Sequence, residues 1–334
     1  MQQTIAIREV SQVAEARRAA VTLARRHGFG EEDAGRVAIV ASELATNLIK
    51  HGGGGELLVG SFEDRTGTGI ELLALDKGPG IVDVDASSRD GHSTAGSPGT
   101  GLGAIQRGSH VSEIFSVPGL GTAILARLMI GQPGKGPLGI ADHGAICIPM
   151  RGEESCGDAW CQRDYADGMV LMMADGLGHG PFAAEASHAA SASFARTFNT
   201  LPSQSLTTMH AALRPTRGAA VAVARIDWKN AEIVFGGVGN IAATVVDAEG
   251  KIQRMVSNNG TVGHVAKRIR DFTYKLGTDP LVILASDGLS TSWQLDRYPG
   301  LATRHPSLIA GILYRDFKRG RDDVSVLVAR GRRP

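Results

Sequence analysis

A Gly/Pro-rich seam, Gly131-Gln-Pro-Gly-Lys-Gly-Pro-Leu138, follows directly on the strand-like run TAILARLMI. Glycine and proline at that density favour neither helix nor strand, so the run reads as a short linker. It divides the 334-residue chain into parts of roughly 130 and 197 residues, both ordinary domain sizes. Residues 1–130 and 139–334 are the expected domains, with 131–138 between them. Hydrophobic residues make up 43% of the sequence, enough for two packed cores. Aromatics are only 5%, so those cores rest on Ala, Val, Leu and Ile.

Charge and cysteine usage exclude several classes. The formal net charge is +1, from 35 Lys and Arg against 34 Asp and Glu, which leaves no electrostatic footprint for nucleic acid or an acidic membrane. Cys147, Cys156 and Cys161 are too few for a disulfide framework and read as reduced thiols. The N-terminus lacks the basic and apolar regions of a signal peptide. No apolar stretch reaches the roughly 20 residues that span a bilayer. A soluble, cytoplasmic protein is expected.

The front part reads strand, helix, helix, then mainly strands. Thr4–Val10 forms the first strand. Ser11 is placed to N-cap a helix whose face is Val13, Ala16, Ala20 and Leu23. A second helix runs from about Glu31 to Lys50 and stops at Gly52–Gly55. At 100° per residue, Val37, Ala41, Leu44 and Leu48 share its core side. Glu43, Asn47 and Lys50 cluster about 110° away, so a carboxylate, an amide and an ammonium line up off the core face. Taken alone, that stripe equally describes a solvated helix face.

Two further elements change its meaning. The strand IELLAL ends in Asp76-Lys-Gly78-Pro-Gly80, which sets a carboxylate at a strand end beside exposed backbone. Gly99-Thr100-Gly101-Leu102-Gly103 then forms a Gly-rich loop before a helix, a source of N–H groups for phosphates. In this order, Glu43-Leu-Ala-Thr-Asn47, the Asp76–Gly80 segment, the 99–103 loop and Gly121-Thr122 resemble the ATP-binding domain of the GHKL superfamily. The compact form resembles its RsbT/RsbW branch of anti-sigma factors and switch kinases, over about residues 1–130. The resemblance implies an α/β sandwich with helices on one face of a mixed sheet. Asn47 would hold the Mg²⁺ of ATP, with Lys50 on the same polar side. Asp76 would accept the adenine amino group, with Gly78 and Gly80 making room for the base and Thr122 beside it. Gly99, Thr100, Gly101, Leu102 and Gly103 would wrap the phosphates. Glu43 would be the general base that orients an attacking hydroxyl.

In the back part, three apolar runs end or begin at aspartates. VLMMA leads into Asp175-Gly176, LVILAS into Asp287-Gly288, and Asp322-Asp323 opens VSVLVA. Asp158 precedes the first of these. The segments PFAAEASHAASASFARTF and SLTTMHAALR read as helices. Carboxylates projecting from several strand ends can form an oxygen cage for hard divalent cations, although an isolated Asp-Gly is also a common turn. The set resembles the SpoIIE/RsbX branch of PPM-type serine/threonine phosphatases, over about residues 138–332, with an αββα sandwich. It implies that Asp158, Asp175, Asp287 and Asp322, with the Gly176 carbonyl, hold two Mn²⁺ or Mg²⁺ ions. Asp323 stands less surely among the ligands. Asn240 reads as a substrate contact or a structural turn. His179 reads as an acid to the leaving oxygen or a cap on the next helix. Arg217, Arg225 and Arg321 are candidates to grip phosphate.

The expected whole is therefore a two-domain α+β protein. Its expected function is a serine/threonine kinase and a metal-dependent phosphatase in one chain, acting on a STAS-domain partner and so controlling a sigma factor or another signalling protein. Two other readings stand beside it: a phosphatase gated by a non-transferring ATP sensor, and an anti-sigma binding module fused to a phosphatase. Relatives of this branch often dimerise, which admits a homodimer.

Overall fold

The computed structural model describes residues 2–64, 67–84, 101–131, 141–266 and 268–331. The chain forms two compact units, Met1–Leu138 with Tyr298–Arg315, and Gly139–Arg297 with Asp316–Pro334. Residues 132–138 of the expected linker lie outside the described residues.

The first unit begins with β1 (Gln3–Ile7), α1 (Ser11–Arg26) and α2 (Glu31–Lys50). It continues with β2 (Gly55–Asp64), β3 (Gly67–Leu75), α3 (Gly101–Gly108), β4 (Val111–Val117) and β5 (Gly121–Met129). Ser11 is the first helical residue rather than the cap, a position held by Val10. Gln12 closes the entry instead, its Oε1 accepting the Arg8 and Glu9 N–H groups at 2.5 and 3.0 Å. The sheet runs β1-β2-β3-β5-β4. Every pairing in it is antiparallel, where a mixed sheet was expected. The short β2–β3 and β4–β5 connections impose this on two of the four pairings, because parallel neighbours need a long crossover.

Helices α1 and α2 cover one face of that sheet. Leu44, Leu48, Leu57, Leu72, Ala74 and Ile124 meet in the core beneath them. Strand side chains alternate, so Leu73 and Leu75 lie on the other face. They meet Gly311, where a Cβ would stand 2.6 Å from Leu73 Cδ2 and 3.1 Å from Leu75 Cδ2. The expectation of helices on one face only is therefore incomplete. A segment from far along the chain, Tyr298–Arg315, packs with this unit.

The second unit holds β6 (Ala141–Ile148), β7 (Asp158–Tyr165), β8 (Gly168–Gly176), α4 (Pro181–Thr197) and α5 (Pro202–Ala212). Strands β9 (Ala219–Asp227), β10 (Glu232–Val238), β11 (Ala242–Val246), β12 (Ile252–Met255), β13 (Phe272–Lys275) and β14 (Leu281–Ala285) follow. Next come α6 (Pro306–Phe317), most of which groups with the first unit, and β15 (Val324–Gly331). The strands form two five-stranded sheets, β13-β10-β9-β8-β7 and β12-β11-β14-β15-β6.

Strand β8 shows why its run is continuously apolar. Met169, Leu171 and Met173 face the second sheet, against Val282, Leu284, Leu327 and Ala329. Val170, Met172 and Ala174 face α4 and α5, against Ala186, Phe194, Leu206 and Met209. A strand buried on both faces carries no polar alternation. Among the described residues no helix is long and apolar enough to cross a membrane.

Candidate nucleotide and metal sites

In the first unit, α2 carries Glu43 and Asn47 half-buried, with Lys50 exposed one turn on. The start of α3 lies directly over the first two. A Cβ at Gly101 would stand 3.1 Å from Glu43 Oε2 and 3.4 Å from Asn47 Oδ1, so a larger residue there would press on the Glu43 carboxylate. Gly101, Leu102 and Gly103 form the first turn of α3 rather than a loop. Their N–H groups are first-turn donors that no earlier carbonyl of the helix can take. Gly99 and Thr100 lie outside the described residues. Asn47 Nδ2 is buried with no hydrogen-bond partner among the described residues. An unpartnered buried amide beside a carboxylate and a helix start fits a bound nucleotide with its cation.

Asp76 follows the last residue of β3. The β3–β5 register pairs Leu75 with Ala123, which brings Thr122 alongside Asp76. The backbone N–H of Asp76 donates to Thr122 O at 2.9 Å. Its Oδ1 accepts the N–H groups of Gly78 at 2.8 Å and Thr122 at 3.1 Å. Burial raises the pKa of this carboxyl. The two N–H donors and the charges of Arg315 and His51 act in the opposite direction. Thr122 Oγ1 lies 2.9 Å from Ser116 Oγ, which also accepts the Ile81 N–H at 2.7 Å. Gly80 holds a left-handed turn at φ 73°, and a Cβ there would reach Val117 O at 2.4 Å. Asp76, Gly78, Gly80 and Thr122 are thus brought together. Ser116 joins them without a sequence signal, because it is a polar residue on an ordinary strand.

In the second unit the antiparallel register places Asp158 opposite Asp175. Asp287 and Asp322 lie just beyond β14 and just before β15, where Ser286 N–H donates to Ser325 O at 3.0 Å. Burial is the largest cause that raises the carboxyl pKa values of Asp158, Asp175 and Asp287, and neighbouring aspartates add to each. Gly176, which ends β8, donates its N–H to Gly157 O at 3.0 Å.

The expected ligands are neighbours: the charges of Asp158, Asp287 and Asp322 all raise the pKa of the Asp175 carboxyl. Among the described residues no three His, Cys, Asp or Glu side chains are grouped as metal ligands. Asp287 Oδ2 accepts Asn240 Nδ2 at 2.8 Å, and Asp322 Oδ1 accepts the Asp323 N–H at 2.9 Å. Asp158 Oδ2, however, is buried without a hydrogen-bond partner. A set of neighbouring carboxylates with an unpartnered buried oxygen fits hard divalent cations in its chemistry.

Asp323 and His179 each have local partners. Asp323 braces the loop before β7, its Oδ1 accepting Met150 N–H at 2.7 Å and its Oδ2 Gly157 N–H at 2.8 Å. His179 caps nothing, since α4 has Gly180 as N-cap with no side-chain bond; its Nδ1 lies 2.7 Å from Glu153 Oε1. Of the arginines, Arg217 stacks on Phe182 at 4.8 Å and Arg225 on Tyr165 at 4.3 Å.

An antiparallel sheet under a carboxylate-and-amide helix, followed by an aspartate-edged double sheet, agrees with the two families that the chain matches. The Histidine kinase-like ATPase domain family matches residues 8–129, and the Stage II sporulation protein E (SpoIIE) family matches residues 165–332. The chain belongs to the SpoIIE family through its second half and to the family of RsbT through its first. It is 36% identical over 114 residues to the serine/threonine-protein kinase RsbT of Bacillus subtilis (strain 168), covering 34% of this chain and 86% of that kinase. A solved structure described as "The bacterial stressosome: a modular system that has been adapted to control secondary messenger signaling" is 29% identical, with a TM-score of 0.53. It covers 57% of this chain and 99% of its own.

Proposed function

We propose that this chain is a cytoplasmic partner switch that phosphorylates and dephosphorylates a seryl or threonyl side chain of a STAS-domain protein. The observation that carries the reading is the pairing of Asp158 with Asp175, with Asp158 Oδ2 buried and unpartnered, in a chain that also sets Glu43 and Asn47 beneath Gly101.

In the first unit Asp76 would accept the adenine amino group, and Asn47 would hold Mg²⁺ at the phosphates. Gly101, Leu102 and Gly103 would present N–H groups to phosphate oxygens. Glu43 would accept the proton of the attacking hydroxyl as its oxygen bonds to the terminal phosphorus and ADP leaves. In the second unit Asp158, Asp175, Asp287 and Asp322 would hold two Mn²⁺ or Mg²⁺ ions, with the Gly176 carbonyl beside them. Ions bound there lower the pKa of water for in-line attack on a phosphoserine. Asn240 would orient Asp287, and His179, turned to Glu153, would reach the leaving oxygen. Phosphorylation adds nearly two negative charges to the partner's surface and can break an interface there, which suits control of a sigma factor or another signalling protein.

The test incubates the full chain with a STAS-domain protein. Mg²⁺ and ATP should add one phosphoryl group to the partner, and Mn²⁺ without ATP should remove it. A partner that gains none under the first condition contradicts the kinase assignment. A phosphorylated partner untouched under the second contradicts the phosphatase assignment.

A further inference from the structure

Cys147 and Cys156 sit on different elements of the second unit, near the end of β6 and in the loop before β7. Their Sγ atoms nevertheless lie 3.5 Å apart, in contact. Cys147 Sγ also lies 3.5 Å from the backbone carbonyl oxygen of Asp158. Cys147 is half-buried and Cys156 is buried, so a small oxidant reaches Cys147 first. The third cysteine, Cys161, packs on the α4 and α5 side of its sheet and has no part in this pair.

The pair adjoins the backbone that sets the aspartates. Cys147 stands opposite Ser325 in the β6–β15 register, so the sheet ladder holds it. Cys156 precedes Gly157, whose N–H donates to Asp323 Oδ2 at 2.8 Å and whose carbonyl accepts the Gly176 N–H at 3.0 Å. The next residue is Asp158, opposite Asp175. Gly157 is closely enclosed: a Cβ there would stand 2.7 Å from both Ala183 Cβ and Asp323 Oδ2. A disulfide needs its sulfur atoms about 2 Å apart, so bonding draws this pair together by roughly 1.5 Å. The loop end lies outside the ladder and takes up that movement more readily than β6. Gly157, with no slack around it, passes it to Asp158 and Gly176. The S–H beside the Asp158 carbonyl is lost in the same step.

We propose that Cys147 and Cys156 are an oxidation site, joined by peroxide into a disulfide that lowers the affinity of the neighbouring aspartates for divalent metal. Cys147 Sγ attacks one oxygen of hydrogen peroxide, the O–O bond breaks, water leaves, and Cys147 becomes a sulfenic acid. Cys156 Sγ then attacks the Cys147 sulfur. The S–S bond forms, the S–O bond breaks and a second water leaves. The two thiols give up two electrons and two protons, and the peroxide is reduced to two waters. A dithiol reverses the bond by exchange, so in reducing surroundings the pair rests as thiols and the disulfide is transient. The inference rests on the reading of Asp158 as a metal ligand.

The test treats the full chain with hydrogen peroxide in the presence of a chelator and digests it with trypsin without reductant. Cleavage after Arg151 separates the two cysteines. The expected product is the Cys147 peptide joined to the peptide of Cys156, with fragmentation placing the bond at Cys156 and leaving Cys161 a thiol. Calorimetric Mn²⁺ titration of the oxidised chain should give an affinity about tenfold or more below that of the reduced chain, and dithiothreitol should restore it. Cys147→Ser keeps a hydroxyl beside the Asp158 carbonyl and cannot form the bond, so peroxide should leave its Mn²⁺ affinity unchanged. Should that variant melt below the assay temperature, Cys156→Ser serves in its place with the same expectation. A peroxide-treated wild-type chain without the linked peptide overturns the proposal. So does a linked chain that binds Mn²⁺ as tightly as the reduced one, or an equal loss of affinity in a folded serine variant. A reduced wild-type chain that binds no Mn²⁺ overturns the reading of Asp158, and this inference with it.

Discussion

Asp158, the first residue of β7, stands directly opposite Asp175 near the end of β8, so two carboxylates share one step of a ladder. Only one of them is well placed for water, since Asp158 is buried and its Oδ2 has no partner among the described residues. Such a pair is costly unless protons or cations separate the charges.

Removing one charge should therefore have opposite effects on stability and activity. Asp175→Asn is expected to raise the melting temperature of the metal-free protein by about 2 °C or more. It should also weaken Mn²⁺ binding and abolish Mn²⁺-dependent hydrolysis of p-nitrophenyl phosphate. Thermal melts in chelator and calorimetric Mn²⁺ titration check the two arms. A lower melting temperature in chelator would show that the aspartates do not repel each other.

The same pair fixes a pH dependence. Burial, with the charges of nearby aspartates added, pushes Asp158 up to about 7 and Asp175 up to about 8, from an ordinary value of 3.8. Between those limits the folded protein holds protons that the unfolded chain has released. Metal-free stability should consequently fall as pH rises from about 4 to about 8. Mn²⁺ affinity should rise across the same window, because the ions displace those protons. Melts in chelator and titrations at several pH values read both trends, and a flat profile in each would rule the pairing out as their cause.

Asn240 holds Asp287 through a 2.8 Å hydrogen bond. Asn240→Ala should lower Mn²⁺ affinity or turnover by about 10- to 100-fold, as loss of a group that orients a metal ligand commonly does. Direct substrate contact would instead raise KM and leave metal affinity unchanged. Metal titration alongside steady-state kinetics separates the two.

Asp323 accepts one backbone N–H on each carboxylate oxygen. An asparagine has a single acceptor oxygen, so Asp323→Asn leaves either Met150 or Gly157 without a partner. The expected loss is about 1–3 kcal/mol of stability in a denaturant titration. An unchanged midpoint would mean that the loop before β7 does not depend on these bonds.

Glu43→Gln should reduce phosphoryl transfer by about 10²- to 10⁴-fold and leave nucleotide affinity within a few fold of wild type. Asn47→Ala should instead weaken nucleotide binding itself. Fluorescent-nucleotide titration with a transfer assay distinguishes them, and equal effects of both variants would contradict the division of roles.

Much of the fold was legible because its signals are local. Helix α2 occupies Glu31–Lys50, where the apolar period and Gly52–Gly55 put it. Strands β8, β14 and β15 coincide with uniformly apolar runs. What escaped was non-local. Asn240 and Asp287 lie far apart in sequence, and Arg315 and Asp76 much farther, so no spacing rule joins them. Helix α6 is buried from Pro306 to Arg315. A helix apolar on every side signals burial without saying against which sheet, which is why its packing with Leu73 and Leu75 could not be read. The aspartates were legible as strand ends, but not their separate hydrogen-bond partners, which depend on the loops that meet them.

The central claim is that one chain carries two opposed phosphoryl-transfer sites, and a single time course tests it most directly. A STAS-domain protein is incubated with Mg²⁺, Mn²⁺ and ATP, and its phosphorylation is followed by intact mass. The Asp175→Asn chain should drive the partner to a stable phosphorylated form. The Glu43→Gln chain should leave an unmodified partner unmodified and strip a phosphorylated one. Phosphorylation by the Glu43→Gln chain at the wild-type rate, or dephosphorylation by the Asp175→Asn chain at the wild-type rate, would contradict the account.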